Sequence, residues 1–351
     1  MTAIADLLDQ VRDAVAAQRP LCIKGGNSKQ YLGREQQGDP VDVSGHSGVV
    51  DYQPSELVIT VRAGTTISDL QQVLAQENQV LAGEPPEFDG KATVGGTLAC
   101  NLSGPSRPWH GSIRDQVLGV RIINGKAEHL RFGGQVMKNV AGYDVSRLQA
   151  GAMGTLGILT EVTLKVIPKP ESTATVRRTI DANDSLRVMN EICRTPLPVT
   201  GACWYAGNLR IRLSAPASVI GAAAEQIEGS VLPDDDGFWP RLREMDLPFF
   251  ADATDLWCIS LRSTREHFKE DADWLIDWRG ARRWLAARGD RDALDTHVRD
   301  AGGEVSQVRG AENGVEVFPE RSAVYRQTLL RLKQALDPDG VFNPGRLYSW
   351  L

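Results

Sequence analysis

The sequence predicts an α+β chain of two domains followed by a short tail, and three observations carry that expectation. Short β-rich runs alternate with amphipathic helical ones. Residues 1–170 hold 21 of the 34 glycines, whereas seven of the eight tryptophans lie beyond residue 200. Between these halves, Ile167-Pro-Lys-Pro-Glu171 ends a strand and stiffens a connection. The expected domains are therefore 1–170 and 171–336, with 337–351 as the tail.

The elements follow in order. Ile4, Leu7, Leu8, Val11 and Val15 recur at helical spacing and predict an opening helix. Leu21-Cys-Ile23 is a short strand, and Leu57–Val61 a β-branched one. Thr66-x-x-Asp69 has the form of a capping box, with Ile67, Leu70, Val73 and Leu74 on one face of the helix behind it. Val117–Ile123 and Ala127–Phe132 flank Asn124-Gly125, a hairpin signal because both residues accept positive φ. Leu156–Ile167 alternates as a strand. Later hairpins are expected around Gly207-Asn208 and Arg279-Gly280, a solvated loop at Asp234–Gly237, and a final helix over Ser322–Leu336.

Composition excludes several functions. Thirty-nine Lys and Arg against 45 Asp and Glu give −6, which argues against general nucleic-acid binding. No run approaches 18 uninterrupted apolar residues, and the acids near the N-terminus do not suit a signal peptide, so a cytoplasmic chain without a membrane span is expected. The five cysteines form no Cys-x-x-Cys pair and the five histidines no metal-binding pair, so no metal site is expected. Redox chemistry would need an organic cofactor or a partner's metal.

Three glycine-bearing segments concentrate the chemistry. Lys24-Gly25-Gly26-Asn27-Ser28-Lys29 directly follows a strand; adjacent glycines let backbone N–H groups converge on an oxyanion, with two lysines on the rim. A tight strand-to-strand turn explains this segment alone equally well. Thr93–Gly104, with Gly95, Gly96, Thr97, Asn101 and Gly104, is built of small residues that admit close approach; ordinary packing of a helix start on a sheet is the plainer account. Gly151, Gly154 and Gly157, with Thr155 and Ile158, suit a loop pressed against a flat ligand. Neither Gly-x-Gly-x-x-Gly nor a Gly-x-x-x-x-Gly-Lys phosphate loop occurs, so a nucleotide here requires a fold other than the doubly wound one.

In this order, Leu21–Gly33, Val61–Leu70, Thr93–Gly104 and Gly142–Pro168 resemble the PCMH-type FAD-binding domain of vanillyl-alcohol oxidase and D-lactate dehydrogenases. The tail Asp337–Gly345 resembles that superfamily's closing motif. Over most of its length, Trp274–Leu285 included, the chain is similar to the FAD-binding E subunits of bacterial glycolate oxidases. The resemblance implies two α+β subdomains clasping FAD, with an α+β cap over the flavin. It assigns Gly25, Gly26, Asn27 and Ser28 to the pyrophosphate loop. Gly95, Gly96, Thr97, Asn101 and Gly104 fall in the second wall, and Gly151, Gly154, Thr155, Gly157 and Ile158 in the loop against the ribityl and adenine portions. Asn343 falls near the ring edge. It also implies glycolate, a small 2-hydroxy acid, as substrate, a homologous larger flavin subunit and an iron–sulfur subunit as partners, and inner-membrane association only through them.

Two departures from the family pattern stand out. Where many relatives carry a flavin-tethering histidine, this chain has Asn27, which implies noncovalent FAD. The cap motif His-Gly-Asp-Gly-Asn-x-His is absent, which leaves the catalytic residues unknown. Arg282 and Arg283 are candidates for gripping a carboxylate, against the plainer reading of a solvated turn. His110 is a candidate near the ring, against an ordinary structural histidine. Three readings follow: a working oxidoreductase subunit, an FAD-holding electron-transfer or structural subunit, and a standalone FAD-dependent reductase.

Overall fold

The computed structural model describes residues 3–134, 143–232, 237–268, 272–311 and 314–351. Gly142 and residues 234–236 of the expected loop lie outside them. The chain forms two compact units: Met1–Leu102, Ser112–Pro168 and Glu312–Leu351 make one, and Ser103–Gly111 with Lys169–Ala311 make the other. The longer stretch of the second unit begins at Lys169, within the Ile167–Glu171 run. Two features are not visible in composition. Ser103–Gly111 belongs to the second unit, and the final helix, Ala323–Leu336, belongs to the first.

The first unit is built on a five-stranded antiparallel sheet in the order Val49–Gln53, Val58–Arg62, Ile158–Lys165, Val117–Ile123, His129–Gly133. Ile59, Val61, Val120, Ile122, Val162 and Leu164 pack with Ile67, Leu70 and Leu74 of helix Ile67–Gln76 in one core. Thr66 caps that helix, its side chain accepting from Asp69 N at 3.0 Å, as the Thr-x-x-Asp spacing requires. A second, smaller core forms where helix Ile4–Ala17 lays Leu7, Val11 and Ala14 against the parallel strands Leu21–Lys24 and Asp39–Asp42. Val341 and Phe342 complete this core, and Phe342 pairs with Leu21 as a further parallel bridge.

The hairpin after Ile123 is present, but its positive φ does not fall on Asn124 or Gly125. Ile123 pairs with His129, and the Asn124 side chain accepts from the N–H groups of Lys126 and Glu128. The positive φ of 54° falls on Ala127. Gly125 is needed for another reason: a Cβ there would lie 2.7 Å from Asp337 Cα.

The second unit holds an eight-stranded antiparallel sheet. Its order is Ser230–Leu232, Ser172–Thr179, Asn208–Ala215, Val199–Tyr205, Asp273–Asp277, Arg282–Ala286, Leu256–Ser260, Glu304–Arg309. Both expected hairpins are present, Tyr205 pairing with Asn208 and Asp277 with Arg282. At the second, positive φ falls on Trp278, Arg279 and Gly280 together. Helices Ala182–Ile192 and Ala217–Glu225 bury Leu186, Met189, Ala223 and Ala224 against the sheet. No helix among the described residues is long and apolar enough to cross a membrane.

Candidate functional site

The first glycine loop leaves strand Leu21–Lys24 and turns at Asn27, whose φ of 57° suits an asparagine. Gly25 and Gly26 are not at positive φ; their missing side chains let the loop press on the segment before the second wall. A Cβ on Gly25 would lie 2.5 Å from Thr93 Oγ1, and one on Gly26 would collide with the Lys91 carbonyl. Among the described residues, none accepts a hydrogen bond from the backbone N–H of Gly26, Asn27 or Ser28. Those donors are available to an oxyanion.

The second segment forms helix Val94–Cys100, capped by Thr93 Oγ1, which accepts from Gly96 N at 3.2 Å. Gly95 lies against Ala63, where a Cβ would come within 2.8 Å. The third segment docks onto this helix through Gly151 N to Leu98 O and Met153 N to Ala99 O. Gly154 takes a φ of +73° and brings its Cα against Asn343. Asn343 joins two of these pieces directly: its Oδ1 accepts from Ile23 N at 2.8 Å and its Nδ2 donates to Met153 O at 2.7 Å.

The outcome is one cleft with about 750 Å³ of space between its walls, open mouth included. Gly25, Gly26, Asn27, Ser28, Gly95, Gly96, Gly154, Gly157 and Asn343 line it. Other residues on the sequence-derived list lie behind its surface. Thr97 and Thr155 are fully buried, Ile158 is core, and Gly151 backs onto Asn101. Gly104 lies in the second unit, where its carbonyl accepts from Trp278 Nε1 at 2.9 Å.

Electrostatics distinguishes this cleft within a chain of −6. Lys24, Lys29 and Arg346 line it, and among the described residues no carboxylate does. Arg346 escaped sequence reasoning; its only local signal is a cation within a turn-rich tail. Burial pushes the Cys100 thiol up, opposed by the positive charge of Lys29 and Arg346, so the thiol adds no negative charge to the wall. The Thr97 Oγ1 and Asn101 Oδ1 atoms are buried in the same wall with no hydrogen-bond partner among the described residues. Open amides, three cations, no anion and close-packed glycines fit a dinucleotide's diphosphate. FAD is therefore compatible with the residues present.

The second unit's candidates are differently placed. Arg282 is buried between the rings of Trp278 and Trp284, its charge paired with Asp277 and one N–H given to Ser103 O at 3.3 Å. Arg283 is fully buried and donates to the carbonyls of Gly280, Glu266 and Arg265. Burial lowers it to about 10, far above neutrality. Both arginines are thus interior cross-links, not the solvated turn that was the plainer reading. His110 ends the short helix Arg107–His110 of this unit. Among the described residues no group of three or more His, Cys, Asp or Glu side chains could hold a metal ion.

Comparison with known proteins agrees with the cleft. A family model described as an FAD binding domain matches residues 1–133. The fold is shared with alkyldihydroxyacetonephosphate synthase at a TM-score of 0.69 and 17% identity, over 97% of this chain and 75% of that one. These define an FAD-binding flavoprotein of the PCMH-like α+β class. More specifically, the chain is 44% identical to glycolate oxidase subunit GlcE of Escherichia coli (strain K12), over 98% of its own length and 97% of the relative's. It belongs to the GlcE family of glycolate oxidase subunits, flavoproteins of the FAD-dependent 2-hydroxy-acid oxidoreductases. Glycolate oxidase subunit GlcD of Bacillus subtilis (strain 168) is 35% identical, over 36% of this chain and 27% of that protein.

Proposed function

We propose that this chain is the FAD-binding subunit of a complex that oxidises glycolate to glyoxylate. Its near full-length likeness to GlcE carries the reading, and the anion-suited cleft supports it. FAD supplies two-electron acceptance from a CH–OH group and onward transfer. The chain's own residues bind and orient it. The amides of Gly26, Asn27 and Ser28 would hold the diphosphate, Lys24, Lys29 and Arg346 would offset its charge, and Gly95, Gly96, Gly154 and Gly157 would admit close approach. Asn27 stands where a tether would need a nucleophile, so the flavin is held noncovalently. The partners are a GlcD-like flavin subunit and an iron–sulfur subunit, and the complex is cytoplasmic, meeting the inner membrane through those partners.

A second reading, an FAD-holding electron-transfer subunit without its own substrate site, is favoured by one observation. The guanidinium groups of Arg282 and Arg283 are already committed to Asp277 and to backbone carbonyls, and neither is left as a fork for a carboxylate. Anaerobic addition of glycolate to the purified chain separates the readings. Bleaching of its flavin would sink the second, whereas a flavin reduced only after a GlcD-like subunit is added supports it. Acid precipitation tests the cofactor: yellow colour released to the supernatant is expected, and a colourless preparation defeats both readings.

A further inference from the structure

Most of the cleft's lining comes from the first half of the chain, yet the last twenty residues hold it in place. We propose that Lys333 and Arg346 are positioning residues for FAD. Each acts on the cofactor through the backbone carbonyls it holds, Arg346 in addition to the charge it presents to the cleft, so the tail sets the spacing of the two walls. The proposal rests on the FAD reading above.

Lys333 sits in the last turn of helix Ala323–Leu336 and is its one buried residue, at 7% exposure. A leucine would ordinarily fill such a place, because an ammonium is costly to desolvate. Here its three N–H donors all find acceptors: Asp337 Oδ2 at 2.6 Å, Thr155 O at 2.8 Å and Phe342 O at 2.9 Å. Thr155 directly follows Gly154 of the cleft, and Phe342 directly precedes Asn343. Asp337 completes the network, its carboxylate accepting from the N–H groups of Val341 and Phe342. The pair is fully satisfied, the condition under which a buried polar network rigidifies its surroundings. What it rigidifies is the join between the third glycine segment and the residue that staples it to Ile23.

Arg346 does the same for the first loop. Its guanidinium donates to the carbonyls of Lys29 and Gln30, at 3.3 and 3.1 Å, and to that of Arg34. Arg34 returns the contact, its N–H donating to Arg346 O at 3.0 Å and its side chain to Gly345 O at 2.9 Å. The loop carrying the open amides is thus pinned just beyond Ser28. The strand before it is fixed to the tail by Leu21 N to Val341 O and Asn343 N to Leu21 O.

The test uses the full chain, stripped of flavin and titrated with FAD. Lys333→Met keeps the length and removes all three donors. FAD should dissociate at least tenfold more readily, with an altered visible band of the bound flavin. Hydrogen exchange should rise at 151–157 and 341–346 but not in strand Asn208–Ala215. Arg346→Lys keeps the charge but cannot fork onto three carbonyls; it should weaken FAD in the same direction, with faster exchange at 29–34. Should Lys333→Met fail to fold by circular dichroism, Asp337→Asn carries the test, with at least threefold weaker binding expected. Wild-type affinity and an unchanged flavin spectrum in the folded Lys or Asp variant and in Arg346→Lys overturn the proposal while the FAD reading stands. If the wild-type chain takes up no FAD, both fail together.

Discussion

Buried cations serve opposite ends in the two units. In the second, Arg282 and Arg283 lie among aromatic rings and give their N–H groups to Asp277 and to carbonyls. In the first, Lys24, Lys29 and Arg346 line a cleft that, among the described residues, has no carboxylate in its lining and no acceptor for its amides. Arg283 and Arg346 are both buried and both committed to backbone carbonyls, so the difference lies in what surrounds them: Arg346 also borders a cleft lined by glycines and open amides. A cation enclosed by rings and acceptors stabilises its own unit; one that also lines a cleft beside open amides makes a place for someone else's negative charge.

That contrast can be broken most severely at Asp277. It is fully buried, and although desolvation raises its carboxyl above the usual carboxylate value, Arg282 opposes that rise. Asp277→Ala leaves the guanidinium buried without its counter-charge, and a loss of about 3–5 kcal/mol is expected. Calorimetry should show one unfolding transition falling while another holds its place. A single transition moving as a whole would mean the two units do not unfold separately.

Acid tests the same unit more gently. His267 packs at 4.9 Å from the ring of Trp274, and burial lowers it to about 4, with Arg283 adding to the effect. Its folded value lies below the unfolded 6.5, so between these the unfolded chain binds a proton the native one refuses. Stability from this group is complete above pH 6.5 and declines as pH falls through 4, by about 2–3 kcal/mol in all. Urea denaturation at pH 7 and pH 4 should show His267→Gln losing less over that interval than wild type; an equal loss would remove His267 from the account.

In the first unit, Gly26→Ala drives a methyl group into the Lys91 carbonyl. About 1–3 kcal/mol of strain is expected, together with at least tenfold weaker FAD binding by flavin fluorescence, because the amide cradle must move. Retained affinity would show that the cradle does not hold the diphosphate. The smallest effect belongs to Arg19, whose exposed pair with Asp39 is solvated. Arg19→Ala should change stability by no more than about 0.5 kcal/mol and leave FAD binding alone, so a larger change would show that solvated cations also matter here.

Much of the fold was legible because its signals are local. Helix Ile67–Gln76 announces itself by Thr66 and Asp69, and the hairpins of the second unit by their turn residues. The glycine-rich segments drew attention as ligand walls for partly the wrong reason. Gly25, Gly26 and Gly95 are required by the chain's own close packing. At Asn124-Gly125 the dipeptide misled, since the asparagine side chain organises a longer loop and Ala127 takes the unusual φ. Arg282 and Arg283 were seen as candidates for chemistry, but nothing in their neighbours in sequence reveals Asp277 or the carbonyls that occupy them.

The sequence by itself determined much of the strand and helix pattern, because caps, turns and apolar periods act over a few residues, and its likeness to known flavoproteins carried the FAD-binding class. Tertiary structure decided which of those residues share a surface, and that Ser103–Gly111 joins the second unit while the final helix returns to the first. It also decided that Lys333, Asn343 and Arg346 hold loops some 180 to 320 positions away in the chain. Hydrogen bonds of that kind are made only once the backbone has closed, and no local preference encodes them.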